Sequence, residues 1–247
     1  MPGKLFGVGV GPGDPELLTL KAVKVLKSVD VVFAPKARAD KPSLALKVIK
    51  PILKERQKTV ELVYPMVMDP AVLEAFWERN AEIIASELKL GRDAAFVTLG
   101  DPMLYSTFIY TYKKVAAKVP EARVEVVPGV TAITMCAALS ITPIAERDEA
   151  VVIVPSTVPL KKIKELAGHA DTLIVVKGLK GLKDLAAVLI EAGFSEASPI
   201  VLIKASEFSR EEVMSGRLGE LCMRDVGDSY FSMLIVKRVQ ACPVKYT

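Results

Sequence analysis

The chain has 247 residues, 51% of them hydrophobic and 25% charged, with 15 glycines and 16 prolines. That length fits one large or two modest domains, and the composition excludes a disordered or collagen-like chain. The charge balance is 33 Lys/Arg against 29 Asp/Glu, a net +4, and no apolar run approaches the roughly 18 residues of a membrane span.

The opening MPGKLFGVGVGPGDP meets glycines and a proline before a signal-peptide core develops. Leu5–Val10 reads as a buried strand that breaks at glycines. Pro15–Ser28 has helical spacing, with Leu18, Ala22, Val25 and Leu26 on one face. Asp14 stands as its N-cap with Pro15 at the first helical position. Asp30–Ala34 is a short strand stopped by Pro35. Ser43–Lys54 reads as a helix interrupted by Pro51, and Thr59–Val63 as a β-branched strand. Pro70–Leu90 is a long amphipathic helix ended by Gly91. Asp93–Leu99 is a strand that runs into Gly100-Asp101-Pro102. Ser106–Lys118 is a helix, and Arg123–Val127 a strand before Pro128-Gly129. Strands separated by helices imply an α/β fold with a mostly parallel sheet.

The second half changes character. Thr131–Leu139 is a small-residue helix. Strands are expected at Val151–Pro155, Thr172–Val176 and Ile200–Lys204, with helices at Leu160–Ala167 and Gly181–Ala192. Glu212–Ser215 and Tyr230–Arg238 read as further strands around turns, so this half carries an antiparallel or mixed sheet. The domain boundary falls near Pro128, giving an N-terminal domain over 1–128 and a C-terminal one over 129–247.

Residues 36–58 hold eight Lys/Arg against Asp40 and Glu55, so this segment carries +6 and leaves −2 for the rest. Two readings stand: a solvated helix face, or a basic wall towards an anionic ligand. The segment has no aromatic residue, so it lacks a stacking platform for single-stranded nucleic acid. Single His169 and Cys136, Cys222 and Cys242, with no CxxC spacing, argue against a metal site or a disulfide framework and suit a reducing cytoplasm. Cys136 reads as packing within its helix.

Gly7-Val8-Gly9-Val10-Gly11-Pro12-Gly13 follows a strand and precedes a helix, but it does not fit the GxGxxG dinucleotide fingerprint from either start, and no Walker motif is present. Asp14 and Glu16 favour the helix dipole there but repel a phosphate. The glycines serve either a close-packed turn or the close passage of a flat ligand. Gly100-Asp101-Pro102-Met103-Leu104-Tyr105-Ser106-Thr107 and Pro128-Gly129-Val130-Thr131-Ala132 also lie at strand ends, where parallel sheets bind ligands. Gly100 permits close approach, Asp101 offers a carboxylate to an ammonium or to hydroxyls, and Ser106 and Thr107 are placed to cap the next helix. Together the loops suit a small zwitterionic ligand.

VGVGPGDPELLTLKAVKVLKSVDVV, GDPMLYSTFIY and VEVVPGVTAITMCAALSITPIAERDE, in this order, resemble the tetrapyrrole (corrin/porphyrin) methylases, which use S-adenosylmethionine and release S-adenosylhomocysteine. The resemblance runs on through VVIVPST, LIVVKGL and YFSMLIVKR. Within the family the opening and GDPMLYSTFIY look most like the precorrin-2 C(20)-methyltransferases of cobalamin biosynthesis and their cobalt-factor II counterparts. The resemblance implies two α/β domains with a trough between them, a homodimer and a tetrapyrrole polycarboxylate as substrate; composition and cysteine usage add a cytoplasmic location, with neither nucleic acid nor membrane expected as partner. It implies cobalt only as part of the substrate.

Carried over position by position, it implies cofactor contacts at Pro12, Leu99, Gly100, Asp101, Leu104, Thr131, Ala132, Lys177 and Ser206, with Met103, Tyr105, Ser106 and Thr107 close by. Lys177 stands where other members carry an apolar residue. Pro35 stands where the uroporphyrinogen methylases carry an aspartate after the second strand, in agreement with the C(20) subgroup. No general base is identified. Lys36, Arg38 and Lys41, at the mouth of the second strand, are the candidate carboxylate partners. The same fold family also contains methylases of other ring positions, diphthine synthases and a ribosomal RNA ribose methylase, and a non-catalytic tetrapyrrole carrier is a further alternative.

Overall fold

The computed structural model describes residues 1–55, 57–67, 69–178, 181–206, 209–221 and 232–239; Cys222 and Cys242 lie outside them. Contacts divide the chain into two units, Met1–Ala132 and Ile133–Thr247.

The first unit runs β1 (Leu5–Gly9), a 3-10 turn (Pro15–Leu17), α1 (Leu20–Ser28), β2 (Val31–Lys36), α2 (Leu44–Ile49), β3 (Lys58–Val63), α3 (Pro70–Lys89), β4 (Ala94–Thr98), α4 (Phe108–Lys118) and β5 (Val124–Val127). All five strands are parallel, in the order β3-β2-β4-β1-β5. Successive strand residues point to opposite faces. Phe6, Val8, Val32, Ala95 and Val97 therefore meet α1 and α2 on one face. Leu5, Phe33 and Phe96 meet α3 and α4 on the other. β1 and β4 are neighbours, yet the helices that follow them lie on opposite faces. The chain therefore leaves their carboxyl ends towards opposite faces, and a switch of this kind is where open parallel sheets take ligands.

Two helices expected from spacing are shorter in the structure. Asp14 does cap, its Oδ1 accepting from Glu16 N at 2.8 Å, but only a 3-10 turn follows. Leu18 and Thr19 are extended, and Thr19 Oγ1 accepts from Ala22 N at 3.1 Å to start α1 afresh. A threonine inside a helical pattern offers the backbone this competing cap. α2 stops at Ile49, Lys50 being its helical C-cap, because Pro51 has no N–H to continue the helical hydrogen bonds.

The second unit contains α5 (Ala132–Ser140, its first residue being the last of the first unit), β6 (Val151–Pro155), α6 (Leu160–Ala167), β7 (Thr172–Val176), α7 (Leu182–Glu191), β8 (Pro199–Ser206), β9 (Ser209–Arg217), α8 (Leu218–Leu221) and β10 (Ser232–Lys237). The sheet order is β6-β7-β10-β8-β9, with β6 and β7 parallel and the remaining pairs antiparallel. The mixed sheet expected for this half is thus present; β9 runs through Gly216 rather than turning there. α6 and α7 cover one face through Ile163, Leu185 and Leu189. α5 covers the other through Ile133 and Cys136, so Cys136 is a core residue. Arg238 ties the ends of α6 and α7 together, donating to the carbonyls of Ala167, Ala170, Ala192 and Gly193 at 2.7–3.3 Å. His169 is an exposed turn residue.

Candidate functional site

The loops after β1, β4 and β5 meet at the carboxyl end of the parallel sheet. Gly100 N donates to Gly11 O at 2.8 Å, which joins the first two. A Cβ built on Gly9 would lie 2.5 Å from Gly100 O and 2.6 Å from Gly129 N. One built on Gly129 would lie 2.2 Å from Gly100 O. Three backbones therefore touch with no side chain between them, and only glycine fits at Gly9 and Gly129. Gly7 serves packing instead: its Cβ would sit 2.3 Å from the Phe108 ring. Gly13 faces open space, with nothing within 4 Å of its Cβ position. The close-packed-turn reading thus accounts for Gly7 and Gly9, and leaves Gly13 beside an opening.

Asp101 holds the β4 and β5 loops together. Its Oδ1 accepts from Met103 N at 2.8 Å and its Oδ2 from Gly129 N at 3.0 Å. A carboxylate has about four lone-pair directions, so Asp101 retains acceptor capacity while it clamps. Ser106 is buried and turns its hydroxyl inward. It accepts from Phe108 N at 3.1 Å, so it caps α4 as expected, and pairs with Thr98 Oγ1 at 3.1 Å. Thr107 makes no such side-chain cap, because its own backbone is already helical. Instead Thr111 Oγ1 donates to Thr107 O at 3.0 Å and pairs with the buried Tyr64 hydroxyl at 2.8 Å. Burial raises the Tyr64 phenol well above its ordinary range.

The side chains of Met103, Leu104 and Tyr105 project outward, 51%, 37% and 40% exposed. They form an apolar rim on the clamped loop. Tyr105 has φ 51°, a left-handed backbone uncommon for a bulky residue. Pro12, Leu99, Gly100 and Thr131 are half-buried around the same strand ends, and Ala132 is exposed. A glycine-lined cradle with an apolar rim and an adjacent carboxylate fits a flat cationic group. Thus eleven of the thirteen positions expected to meet the cofactor are brought to one sheet edge.

The other two belong to the second unit. Lys177 follows β7 with φ 65°, and its carbonyl accepts from Ser156 Oγ at 2.7 Å. Desolvation lowers its amine below the ordinary lysine value. Ser206 closes β8 opposite Ser209 beyond a register irregularity.

The basic segment begins at the carboxyl end of β2, beside β4. Its three candidate residues differ. Lys36 is mostly enclosed, its Nζ donating to Ala39 O at 3.0 Å and Glu61 Oε2 at 3.3 Å. Glu61 Oε1 accepts from Ser43 N at 2.5 Å, so Lys36 and Glu61 together shape the 37–43 turn. Arg38 is exposed and makes a two-pronged pair with Asp40 at 2.8–2.9 Å. Asp40 raises the Arg38 guanidinium pKa and is itself lowered. Lys41 is exposed on the same turn. Glu61 escaped sequence reading; its signal is the parallel register that sets it beside Ala34, two residues before Lys36. The Asp101–Gly129 clamp has no local sequence signal. Among the described residues no cluster of metal-ligating side chains occurs, and no helix is long and apolar enough to cross a membrane.

Two successive α/β units, the first with glycine-built loops at the carboxyl edge of a parallel sheet, agree with the family model that the sequence matches. The chain belongs to the Tetrapyrrole (Corrin/Porphyrin) Methylases, with residues 4–222 matched. More particularly, it is 37% identical to the "Probable cobalt-precorrin-2 C(20)-methyltransferase" of Methanocaldococcus jannaschii, over 95% of this chain and 96% of that one. It is 32% identical to the "Cobalt-precorrin-2 C(20)-methyltransferase" of Salmonella typhimurium, over 96% and 98%. Its fold is shared by the uroporphyrin-III C-methyl transferase of Thermus thermophilus, solved in complex with S-adenyl homocysteine. There the TM-score is 0.70 at 23% identity, covering 95% of this chain and 92% of that one.

Proposed function

We propose that the protein methylates the C(20) meso carbon of precorrin-2 or of its cobalt-bearing counterpart, cobalt-factor II, in cobalamin biosynthesis. The observation that carries the reading is full-length similarity to two relatives bearing that name. When bound, S-adenosylmethionine supplies an electrophilic methyl group on a cationic sulfur. Within the first unit, Gly100, Asp101, Met103, Leu104, Tyr105, Thr131 and Ala132 are the residues to hold it, because they lie on the loops that the close contact of Gly9, Gly100 and Gly129 brings together at one sheet edge.

The chain's own contribution is alignment and exclusion of water, which removes much of the entropic barrier to a displacement. Asp101 complements a positive charge while it fixes both loops. The conjugated macrocycle brings its own electron-rich carbon, so no side chain is required to activate the nucleophile. Arg38 and Lys41 offer partners to the peripheral carboxylates, and Lys36 shapes the turn that presents them. The working state is a cytoplasmic homodimer, in keeping with the family.

The test is an anaerobic methylation assay with S-adenosylmethionine, offering precorrin-2 and cobalt-factor II in parallel, with product mass and carbon NMR as readouts. One added methyl at C(20) is expected. Cofactor binding without transfer to either substrate would send the assignment to another ring position.

A further inference from the structure

Tyr64 directly follows β3, and its backbone and side chain reach two different parts of the first unit's site edge. Its N–H donates to Lys36 O at 2.8 Å, where β2 gives way to the turn bearing Arg38 and Lys41. Its ring lies in the core packed against α3 and α4 and meets Phe96 edge-on at 5.9 Å. Its hydroxyl lies 2.8 Å from Thr111 Oγ1. Thr111 Oγ1 itself donates to Thr107 O at 3.0 Å, and a hydroxyl has one proton to give. The phenol is therefore the donor to Thr111, and a directed chain runs from Tyr64 through Thr111 to Thr107. Asn80 of α3 donates to Val63 O at 2.8 Å and so holds the backbone just before Tyr64. Tyr64, Thr111 and Asn80 are all buried.

Filling the core does not require this hydroxyl. Its cluster contains the apolar Leu5, Phe33, Phe96 and Phe108, and a phenylalanine would occupy nearly the same volume with no polar group to satisfy. What the hydroxyl adds lies at the far end of the chain. Thr107 O accepts from Thr111 N at 3.2 Å as well as from Thr111 Oγ1. Two residues before Thr107 stands Tyr105, at φ 51°. Left-handed backbone at a bulky residue persists only where the surrounding structure over-determines it. Before Tyr105, Asp101 holds Met103 N. After it, Ser106 pairs with Thr98 and caps α4 through Phe108 N, and Thr107 is held from Thr111.

We propose that Tyr64 is a positioning residue for the cofactor loop: through Thr111 its hydroxyl fixes the Thr107 turn, and with it the strained Tyr105 and the rim of Met103 and Leu104. This rests on the functional reading above. Tyr64 is 6% exposed and touches no ligand itself. Its two attachments are chemically separate. The backbone N–H holds the end of β2 and hence the turn with the carboxylate partners, while the hydroxyl holds the loop that meets S-adenosylmethionine. Removing the hydroxyl alone therefore loosens the cofactor side and leaves the Lys36 contact in place.

The experiment compares the parent with Tyr64→Phe, Thr111→Val, Thr111→Ser and the Tyr64→Phe/Thr111→Val double variant. Calorimetric titration with S-adenosylhomocysteine, thermal unfolding and steady-state methylation are the readouts. In Tyr64→Phe the Kd for S-adenosylhomocysteine and the KM for S-adenosylmethionine are expected to rise about fivefold, the scale of one net hydrogen bond. The KM for the tetrapyrrole is expected to stay at the parent value. Thr111→Val should reproduce the loss, and Thr111→Ser, which keeps the hydroxyl, should restore parent binding. The double variant should bind no worse than the weaker single one, because both substitutions cut one chain. A Tyr64→Phe with lower Tm but parent affinity for S-adenosylhomocysteine would overturn the proposal, as would additive losses in the double variant or an equal rise in both KM values. Should Tyr64→Phe fail to fold, Thr111→Val against Thr111→Ser decides the same question. A parent that binds no S-adenosylhomocysteine would overturn the proposal together with the functional reading, and the parent titration alone identifies that case.

Discussion

The contact of Gly9, Gly100 and Gly129 makes a sharp demand on one methyl group. In Gly129→Ala the new Cβ would sit 2.2 Å from Gly100 O and 2.8 Å from the Gly9 carbonyl carbon, whereas ordinary contact begins at 3.4 Å. The Gly100 carbonyl must retreat by about 1.2 Å on that comparison. No flexible side chain is available to yield, because every close atom is backbone. Overpacking costs about 1–3 kcal/mol, and a rigid neighbourhood belongs at the upper end. A loss of about 3 kcal/mol lowers Tm by about 6–12 °C in a chain of this size. Parting the loops also strains the Gly129–Asp101 hydrogen bond, and a displacement of about 1 Å can reduce catalysis a hundredfold. Thermal unfolding and calorimetric titration with S-adenosylhomocysteine read both effects. Gly168→Ala is the control, since its Cβ meets nothing closer than 3.4 Å. If Gly129→Ala unfolds within a degree of the parent and binds as well, the three loops do not meet as described and the cradle argument fails.

Asp101→Asn keeps the shape but places an amide NH2 against one of the two backbone donors, Met103 N or Gly129 N. One unsatisfied contact is expected to cost about 1–3 kcal/mol, visible as a lower Tm with a larger fractional loss in kcat/KM. Arg238→Met removes four N–H···O contacts, one to each of four carbonyls, but keeps an unbranched chain over Phe194. It is expected to lower stability by about 2 kcal/mol, water recovering part of the loss, with methylation kinetics at 25 °C unaltered; chemical denaturation measures it. Glu125 is pulled down to about 2 by hydrogen bonds from Lys21 first and Lys4 second. A depressed carboxylate stabilises the fold above its unfolded value, near 4.5, and loses that contribution as pH falls towards 2. The parent should exceed Glu125→Gln in stability at pH 7, the two converging between about pH 4.5 and 2 in acid titrations of unfolding.

What the sequence discloses is governed by range. Strand alternation, the Asp14 cap and the small-residue helix at Thr131–Leu139 depend on neighbours a few residues away, and each is present in the fold. The break at Leu18 and Thr19 was visible only as a threonine in a helical pattern, since a single side-chain cap decided it. The candidate cofactor positions were legible through family likeness, but not the roles they take. Asp101 reads alone as a ligand carboxylate; its clamp on Gly129 spans 28 residues and follows from β4 and β5 flanking β1. Glu61 carries no motif at all and gains its role from the β2–β3 register.

The same distinction decides what the +6 segment can do. Charge counted along the sequence treats Lys36, Arg38 and Lys41 alike, yet their surroundings separate them. Lys36 is enclosed and bonded to Glu61 and Ala39, so withdrawing it would strand a carboxylate that also holds Ser43 N. Removing one partner of an enclosed pair is costly, and Lys36 is therefore committed to folding the turn. Arg38 and Asp40 form an exposed pair on that turn, and such pairs contribute little. An incoming carboxylate can take the place of Asp40 on the guanidinium with small loss, because one two-pronged contact replaces another. The basic segment thus divides into a residue that builds the wall and residues that the wall presents, a division made by burial and pairing and absent from the charge count.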